Sequence, residues 1–454
     1  METRYVSITL PDASSHSIPV NFTQEGQGII SGETLAKETG LLIYDRYLNH
    51  TISELITITH VDPKNLELYY RDFPISTVSH KCDFLDTVIL LHKGALPNQQ
   101  EKQWLKKQLA ENSILDIKIQ KGLSQVISSF SQNANPLAIL SSGLSYLAAE
   151  CPLPLRNETE QLQAIIKALA VSPIVVAMII QHFRQESFEF PEKFGADGEN
   201  YDYAHNLLAM IHGANQVSSE QQTLMDKLLV IHADAGLAPS TFAGVQNISH
   251  GTSMWNALVS AVNALGGDRH GGANIKVLQM FNEIARLDGD LEENLKTYIN
   301  KALEQKNRIP GLGHIDFKGL DPRAKILVQI CDKLISDSQG DPFIHIARKM
   351  HHLVDSMAQF DKVKPNIDFY SGVLWRTLGI PDMLMTVMFY CSRIAGCTAH
   401  FCIATQNKKI VFPNNVGGGS TGLYFDKDSQ VLSYMSPLFN VRTEAISTLR
   451  DGAG

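Results

Sequence analysis

No C-x-x-C pair, no dense lysine and arginine stripe, no H-E-x-x-H spacing, no internal repeat and no low-complexity tract occur in this 454-residue chain. Each absence removes a class of function. Six cysteines, at 82, 151, 331, 391, 397 and 402, are spread over such a length that they read as buried thiols and not as a disulfide framework or a zinc site. A reducing cytoplasm fits that usage. A net charge of −8 without a basic patch argues against nucleic acid as a partner. The start, Met1-Glu2-Thr3-Arg4-Tyr5, carries an early acid and no apolar run of signal-peptide length, so export is not expected. No metal is expected either, and His351-His352, beside Lys349 and Met350, reads as partly exposed helix surface.

What is there is an ordinary globular balance, 44% hydrophobic and 19% charged, too apolar for disorder. The stretch from Pro381 to Thr405, read as the most apolar, contains Arg393 and His400 and so predicts a buried helix; no membrane role is expected. Residues 1 to 30 are rich in Thr, Ser, Pro and Gly, with short alternating runs such as Tyr5 to Leu10, and predict a small β-like or loosely ordered lead-in. From Thr34 onward, segments such as Glu101 to Ala110, Gln161 to Ala170, Ser218 to Ile231 and Met254 to Leu265 show helical periodicity between Pro, Gly and Asn breaks. Few strands are expected, which makes the fold class all-α. Gly417-Gly418-Gly419-Ser420 reads as a turn.

Three segments carry candidate chemistry. In His314-Ile315-Asp316-Phe317-Lys318-Gly319-Leu320-Asp321-Pro322-Arg323, Asp321 suits an N-cap and Pro322 a first helical position, with Ala324, Leu327, Val328, Cys331 and Leu334 on the buried face that follows. A cation in a first turn opposes the helix dipole, so Arg323 is expected to face an anion outside its own helix. A substrate carboxylate serves, as does an acid on a neighbouring helix. Gly266-Gly267-Asp268-Arg269-His270-Gly271-Gly272-Ala273-Asn274 and Lys364-Pro365-Asn366-Ile367-Asp368-Phe369-Tyr370-Ser371-Gly372 add a second histidine and a carboxylate. Singly, a His-Gly-Gly is a turn and a Pro-Asn-x-Asp a cap more often than either is a site. Their joint order is the informative part.

That order and spacing resemble the citrate synthase family, whose motifs read much like GPLHGGAN, GFGHRVYKxxDPRA and PNVDFYSG. The likeness extends to Leu90-Leu91-His92-Lys93-Gly94-Ala95-Leu96-Pro97 and to Ser392-Arg393-Ile394-Ala395-Gly396, covering roughly residues 30 to 425. The resemblance implies a two-domain helical fold, with residues 31–273 and 385–454 as the large domain, 274–384 as an inserted small domain and 1–30 as the lead-in. It implies a homodimer or higher oligomer that condenses acetyl-CoA or propionyl-CoA with oxaloacetate or a related 2-oxo acid, holding no permanent cofactor because the acyl-CoA is a substrate. By the same resemblance Asp368 is the base that takes the methyl proton, His270 the neutral donor to the thioester oxygen, and His314 the group that polarises the acceptor ketone. Pro310, Gly311, Leu312 and Gly313 form a loop that hugs coenzyme A, while Arg323 and Arg393 hold acceptor carboxylates.

Four departures from the family pattern leave alternatives open. His232-Ala233-Asp234-Ala235-Gly236 puts alanine where the family has a histidine, and Phe412-Pro413-Asn414 puts asparagine where it has an arginine that crosses to the partner's site. Both losses fall on the acceptor side, and a charge-assisted contact is worth roughly 1.5–3 kcal/mol. Gly267-Asp268-Arg269 replaces Gly-Pro-Leu, and Ile315 replaces an arginine. A less acidic acceptor is one explanation. Others are replacement contacts from Arg269, His250, Asn414 or His232, the last expected one turn before Ala235 on the same helix face, a CoA-binding or regulatory dimer that has lost turnover, and a citryl-CoA-type lyase.

Overall fold

Helix starts in this chain are set by side chains. Asp83, Asn98, Asn157, Ser218, Asp321 and Asn366 each accept a hydrogen bond from an amide in the first turn that follows, satisfying donors that the helix itself leaves free. The computed structural model describes residues 4–413 except 24–25, 46, 49, 54–56, 191–199, 268–269 and 408. Among these residues are seventeen α-helices and two small antiparallel sheets of three strands each. Met1–Lys408 forms one compact unit and Lys409–Gly454 a second. The turn expected at Gly417-Ser420 lies outside the described residues, as do Arg269 and Asn414.

The first sheet, Arg4–Thr9, Ser15–Phe22 and Gly28–Ile30, is the expected lead-in. The second, Thr59–Asp62, Glu67–Tyr70 and Phe73–Pro74, falls where helices were expected. Asp62 accepts the amides of Lys64 and Asn65, and that local turn competes with a helix and folds the hairpin.

The core is built around Glu158–Arg184, a 27-residue helix buried without interruption from Ala168 to Gln181. It is more apolar than the Pro381–Thr405 stretch. Both this helix and Asp382–Ala404 are long and apolar enough to cross a membrane by length and composition, and both are mostly covered by the rest of the protein. Met385–Ala404 packs on Glu158–Arg184, Ser219–His232 and Pro239–Ser249, and so carries Arg393 into the interior. The helix Pro322–Ser336 begins where its cap and proline predict, with Ala324, Leu327 and Cys331 buried and Val328 and Leu334 half-buried.

Candidate active site

Asp368 is the second residue of Ile367–Thr377, capped by Asn366. It is half-buried, and its carboxylate accepts no hydrogen bond within the described residues. A helix N-terminus favours a carboxylate, but here burial outweighs it and raises the carboxyl to about 6; Arg323 pulls the other way, Asp321 adds to the rise, and Arg393 also pulls down. A base must be ionised, so turnover is expected to fall tenfold per unit on the acid side of about pH 6. A log kcat/KM profile with no limb between pH 5 and 7 would remove Asp368 from that role. The stability sign is opposite. A carboxyl whose folded pKa lies above 3.8 costs stability at neutral pH, and that cost fades as pH falls through 6 towards 4.

The loop that holds His314 is stitched to the start of the Asp368 helix. Gly313 N–H donates to Lys364 O, Asn366 N–H to Gly311 O and Asn366 Nδ2 to Gly313 O, each at 2.9 Å. Gly311 sits at φ +76°, and a Cβ there would lie 2.7 Å from Val277 Cγ2 and 2.9 Å from Phe369 Cα, so only glycine lets the loop lie this close. Gly311 is buried, with Pro310, Leu312 and Gly313 half-buried.

His314 Nδ1 accepts the amides of Asp316 (3.1 Å) and Phe317 (3.4 Å), which leaves the proton of the neutral ring on Nε2. Burial, then Arg323, lowers its pKa and keeps it neutral. Arg323 Nη2 lies 3.3 Å from Nε2. Two donors side by side cannot satisfy one another, so an oxygen of a ligand is the natural group to face both.

Arg323 does not wait for an anion outside its helix, which corrects the sequence reading. Its Nε and Nη2 bind Asp321, the N-cap of its own helix, at 3.0 and 2.8 Å. Asp321 is fully buried and also accepts the amides of Arg323 (2.9 Å) and Ile367 (3.2 Å), joining the starts of two helices. Burial opposes its charge, yet the Arg323 guanidinium holds its carboxyl below the ordinary range.

His270 is fixed from the other side. Its Nε2 accepts Ser240 N–H at 3.2 Å and Ser240 Oγ–H at 2.9 Å, so the proton is on Nδ1. The helix Pro239–Ser249 has no side-chain cap, and the imidazole takes that place. Burial, then Arg393, lowers the His270 pKa, leaving a neutral donor whose Nδ1–H has no partner among the described residues. Ser240 was missed in the sequence. Its signal was the Ala-Pro-Ser helix start without a polar residue at the cap.

Arg393 is buried, stacks 4.7 Å over Phe389 and donates through Nε to His232 O at 3.0 Å. Among the described residues no carboxylate pairs with it. Arg393 acts electrostatically on His270 and Asp368, and Arg323 on His314 and Asp368. The helices that follow His270 and Asp321, Ala273–Ala285 and Pro322–Ser336, both pack on Ile367–Thr377, the helix of Asp368.

Two rescue contacts are corrected. The Ser219–His232 helix ends at His232, so Ala235 lies in the following loop and not on a shared helix face. His232 is buried with Nδ1–H on Leu228 O (2.8 Å), and burial takes its pKa to about 3. His250 is exposed at the far end of Pro239–Ser249 from Ser240 and bonds Gln246 O at 2.7 Å. His351, expected on the surface, is 5% exposed with Nδ1 at 2.6 Å from Tyr370 Oη, while His352 is exposed as expected.

A brace behind the site also went unread. Tyr70 Oη, from the second sheet, contacts the carbonyls of Val230 (3.2 Å), Ile231 (3.3 Å) and Asp234 (3.1 Å), and Asp234 accepts from Thr59 and His400. Gly396 N–H donates to Ala233 O at 3.0 Å, and a Cβ on Gly396 would sit 2.1 Å from Asp234 Oδ1.

Residues 47–414 match the family model described as "Citrate synthase, C-terminal domain". Solved structures share the architecture. The citrate synthase of Thermotoga maritima aligns at 24% identity over 85% of this chain and 98% of its own, with TM-score 0.71. The Thermoplasma acidophilum enzyme, in ternary complex with carboxymethyl coenzyme A and oxaloacetate, aligns at 22% over 84% and 97%, with TM-score 0.73. That of Pyrobaculum aerophilum aligns at 23% over 90% and 96%, with TM-score 0.72. The fold is therefore the helical one of these enzymes. This chain belongs to the citrate synthase family.

Proposed function

We propose that the protein is an acyltransferase that condenses acetyl-CoA or propionyl-CoA with oxaloacetate or a related 2-oxo acid and hydrolyses the resulting thioester. The observation that carries this is Asp368, a raised and unengaged carboxylate in the field of the guanidiniums that also act on the two neutral imidazoles. Asp368 takes a methyl proton from the thioester while His270 Nδ1–H stabilises the enolate oxygen. His314 Nε2–H and Arg323 polarise the acceptor carbonyl, and Arg393 holds a carboxylate. Gly311 and Gly313 present backbone to the coenzyme, which is a substrate and not a resident cofactor. In this reading residues 274–384 form the smaller lobe that closes over the substrates, and the protein works in the cytoplasm as a homodimer or higher oligomer.

A thiol-release assay with acetyl-CoA and a panel of 2-oxo acids tests it. Free CoA formed only when both substrates are present is the expected result. Silence across the panel with CoA still bound would replace condensation with a binding role.

A further inference from the structure

We infer that Thr386 is a positioning residue for the condensation: its hydroxyl fixes the peptide that follows His270 and so sets where His270 Nδ1–H points. This rests on the condensing reading and adds a residue to it. Thr386 is the second residue of Met385–Ala404, is 4% exposed, and donates through Oγ1 to Gly271 O at 2.9 Å. Hydroxyls further along that helix turn back on its own backbone, Thr398 to Ile394 O at 2.8 Å and Ser392 to Met388 O at 3.4 Å. In the first turn no carbonyl of the same helix lies behind Thr386, and its hydroxyl is free to reach across 115 residues of sequence.

The peptide it reaches is held tightly. A Cβ on Gly271 would sit 2.2 Å from Leu265 O and 3.0 Å from Thr386 Cγ2, so the chain passes between the end of Met254–Leu265 and the threonine with room for glycine alone. Among the described residues Thr386 is the one side chain hydrogen-bonded to the backbone of residues 270–272. The ring end of His270 is fixed separately, by Ser240 on Nε2. Ser240 belongs to Pro239–Ser249, which packs on Met385–Ala404. Backbone anchor and ring anchor therefore both refer to one helix, and Nδ1–H is the polar vertex left for a ligand oxygen.

The same helix carries Arg393, seven residues on and so on the same face, about 10 Å along the axis at 1.5 Å per residue. Phe389, between the two, lies under the Arg393 guanidinium at 4.7 Å. One rigid element thus sets the spacing between the enolate donor and the guanidinium proposed for the acceptor carboxylate. Donors that stabilise developing charge act only when held in place beforehand, and a displacement of about 1 Å costs on the order of 10²-fold in rate.

Two variants of the full chain test this. Thr386→Val keeps the shape and removes the hydroxyl, whereas Thr386→Ser keeps the hydroxyl and removes the methyl group that packs towards Gly271. Thiol release is followed with acetyl-CoA and the panel 2-oxo acid that the parent turns over fastest. Rates are expressed per CoA-binding site counted by titration with CoA, so that misfolded protein does not enter. Expected for Thr386→Val is a kcat at least tenfold lower with the acceptor KM within about threefold of the parent, because Arg393 stays where it is. Thr386→Ser is expected to keep kcat within about threefold of the parent. A threonine that served packing alone would give the opposite order, with the smaller serine the worse of the two. A Val variant less than tenfold slower, a Ser variant outside its range, or an acceptor KM that rises with the loss of rate overturns the inference and leaves condensation standing. Silence of the parent across the panel overturns both.

Discussion

Asp368→Asn is expected to lower kcat by roughly 10³-fold, within the range that a positioned general base contributes, while leaving acyl-CoA affinity within a few-fold of the parent. The substitution keeps shape and removes the lone pair that accepts a carbon-bound proton. It also separates catalysis from structure. A carboxylate placed only to complement the first turn of Ile367–Thr377 would stabilise that helix, and losing it would lower the melting temperature. Burial instead raises this carboxyl to about 6, so the native state pays to keep it ionised at neutral pH, and the amide variant should melt at the same temperature or higher. Turnover within tenfold of the parent, or a marked drop in melting temperature, contradicts the role of base.

How much of this was readable in advance depended on range along the chain. The Asp321–Pro322 start and the Asn366 cap are local, each set within three residues, and the sequence pattern reported both. The Arg323 partner is local too, yet it was sought outside the helix. A dipole argument treats Asp321 only as a cap, and its carboxylate has room to accept the guanidinium as well as two amides. Contacts closed over long separations left little trace. Ser240 meets His270 across 30 residues, and Tyr70 meets Asp234 across 164, and neither spacing has a period to detect. His351 was misread because adjacent residues on a helix point different ways: His352 faces outward, while His351 turns in to Tyr370. The second sheet was missed for a different reason. Its strands span four, four and two residues, too short for alternation to outweigh helical neighbours, although the Asp62 turn was legible.

Asp321→Asn is expected to cost about 3–5 kcal/mol of stability, because it strands the Arg323 guanidinium in a buried site with its charge uncompensated. Arg323 is 3% exposed and Asp321 is fully covered, so water cannot take over either role. The amide also cannot accept on both oxygens, so at least one bond is lost among those to Arg323 Nε, Arg323 Nη2 and the amides of Arg323 and Ile367. The folded carboxyl lies below 3.8, so its contribution is complete above that value and fades only on deeper acidification; the deficit of the variant should therefore be constant from pH 5 to 8. Thermal unfolding reads it as a lowered midpoint. The double variant Asp321→Leu with Arg323→Leu removes both charges and is expected to recover most of the lost stability, since a buried pair is worth far less than the penalty for breaking it. Under the proposed mechanism turnover should stay low in that double variant, because it removes Arg323 Nη2, which lies 3.3 Å from His314 Nε2 and is the second donor proposed for the acceptor carbonyl. Recovery of both stability and rate would show Arg323 to be scaffold alone, and recovery of neither would show that the four-donor junction at Asp321, and not charge balance, holds the two helix starts together.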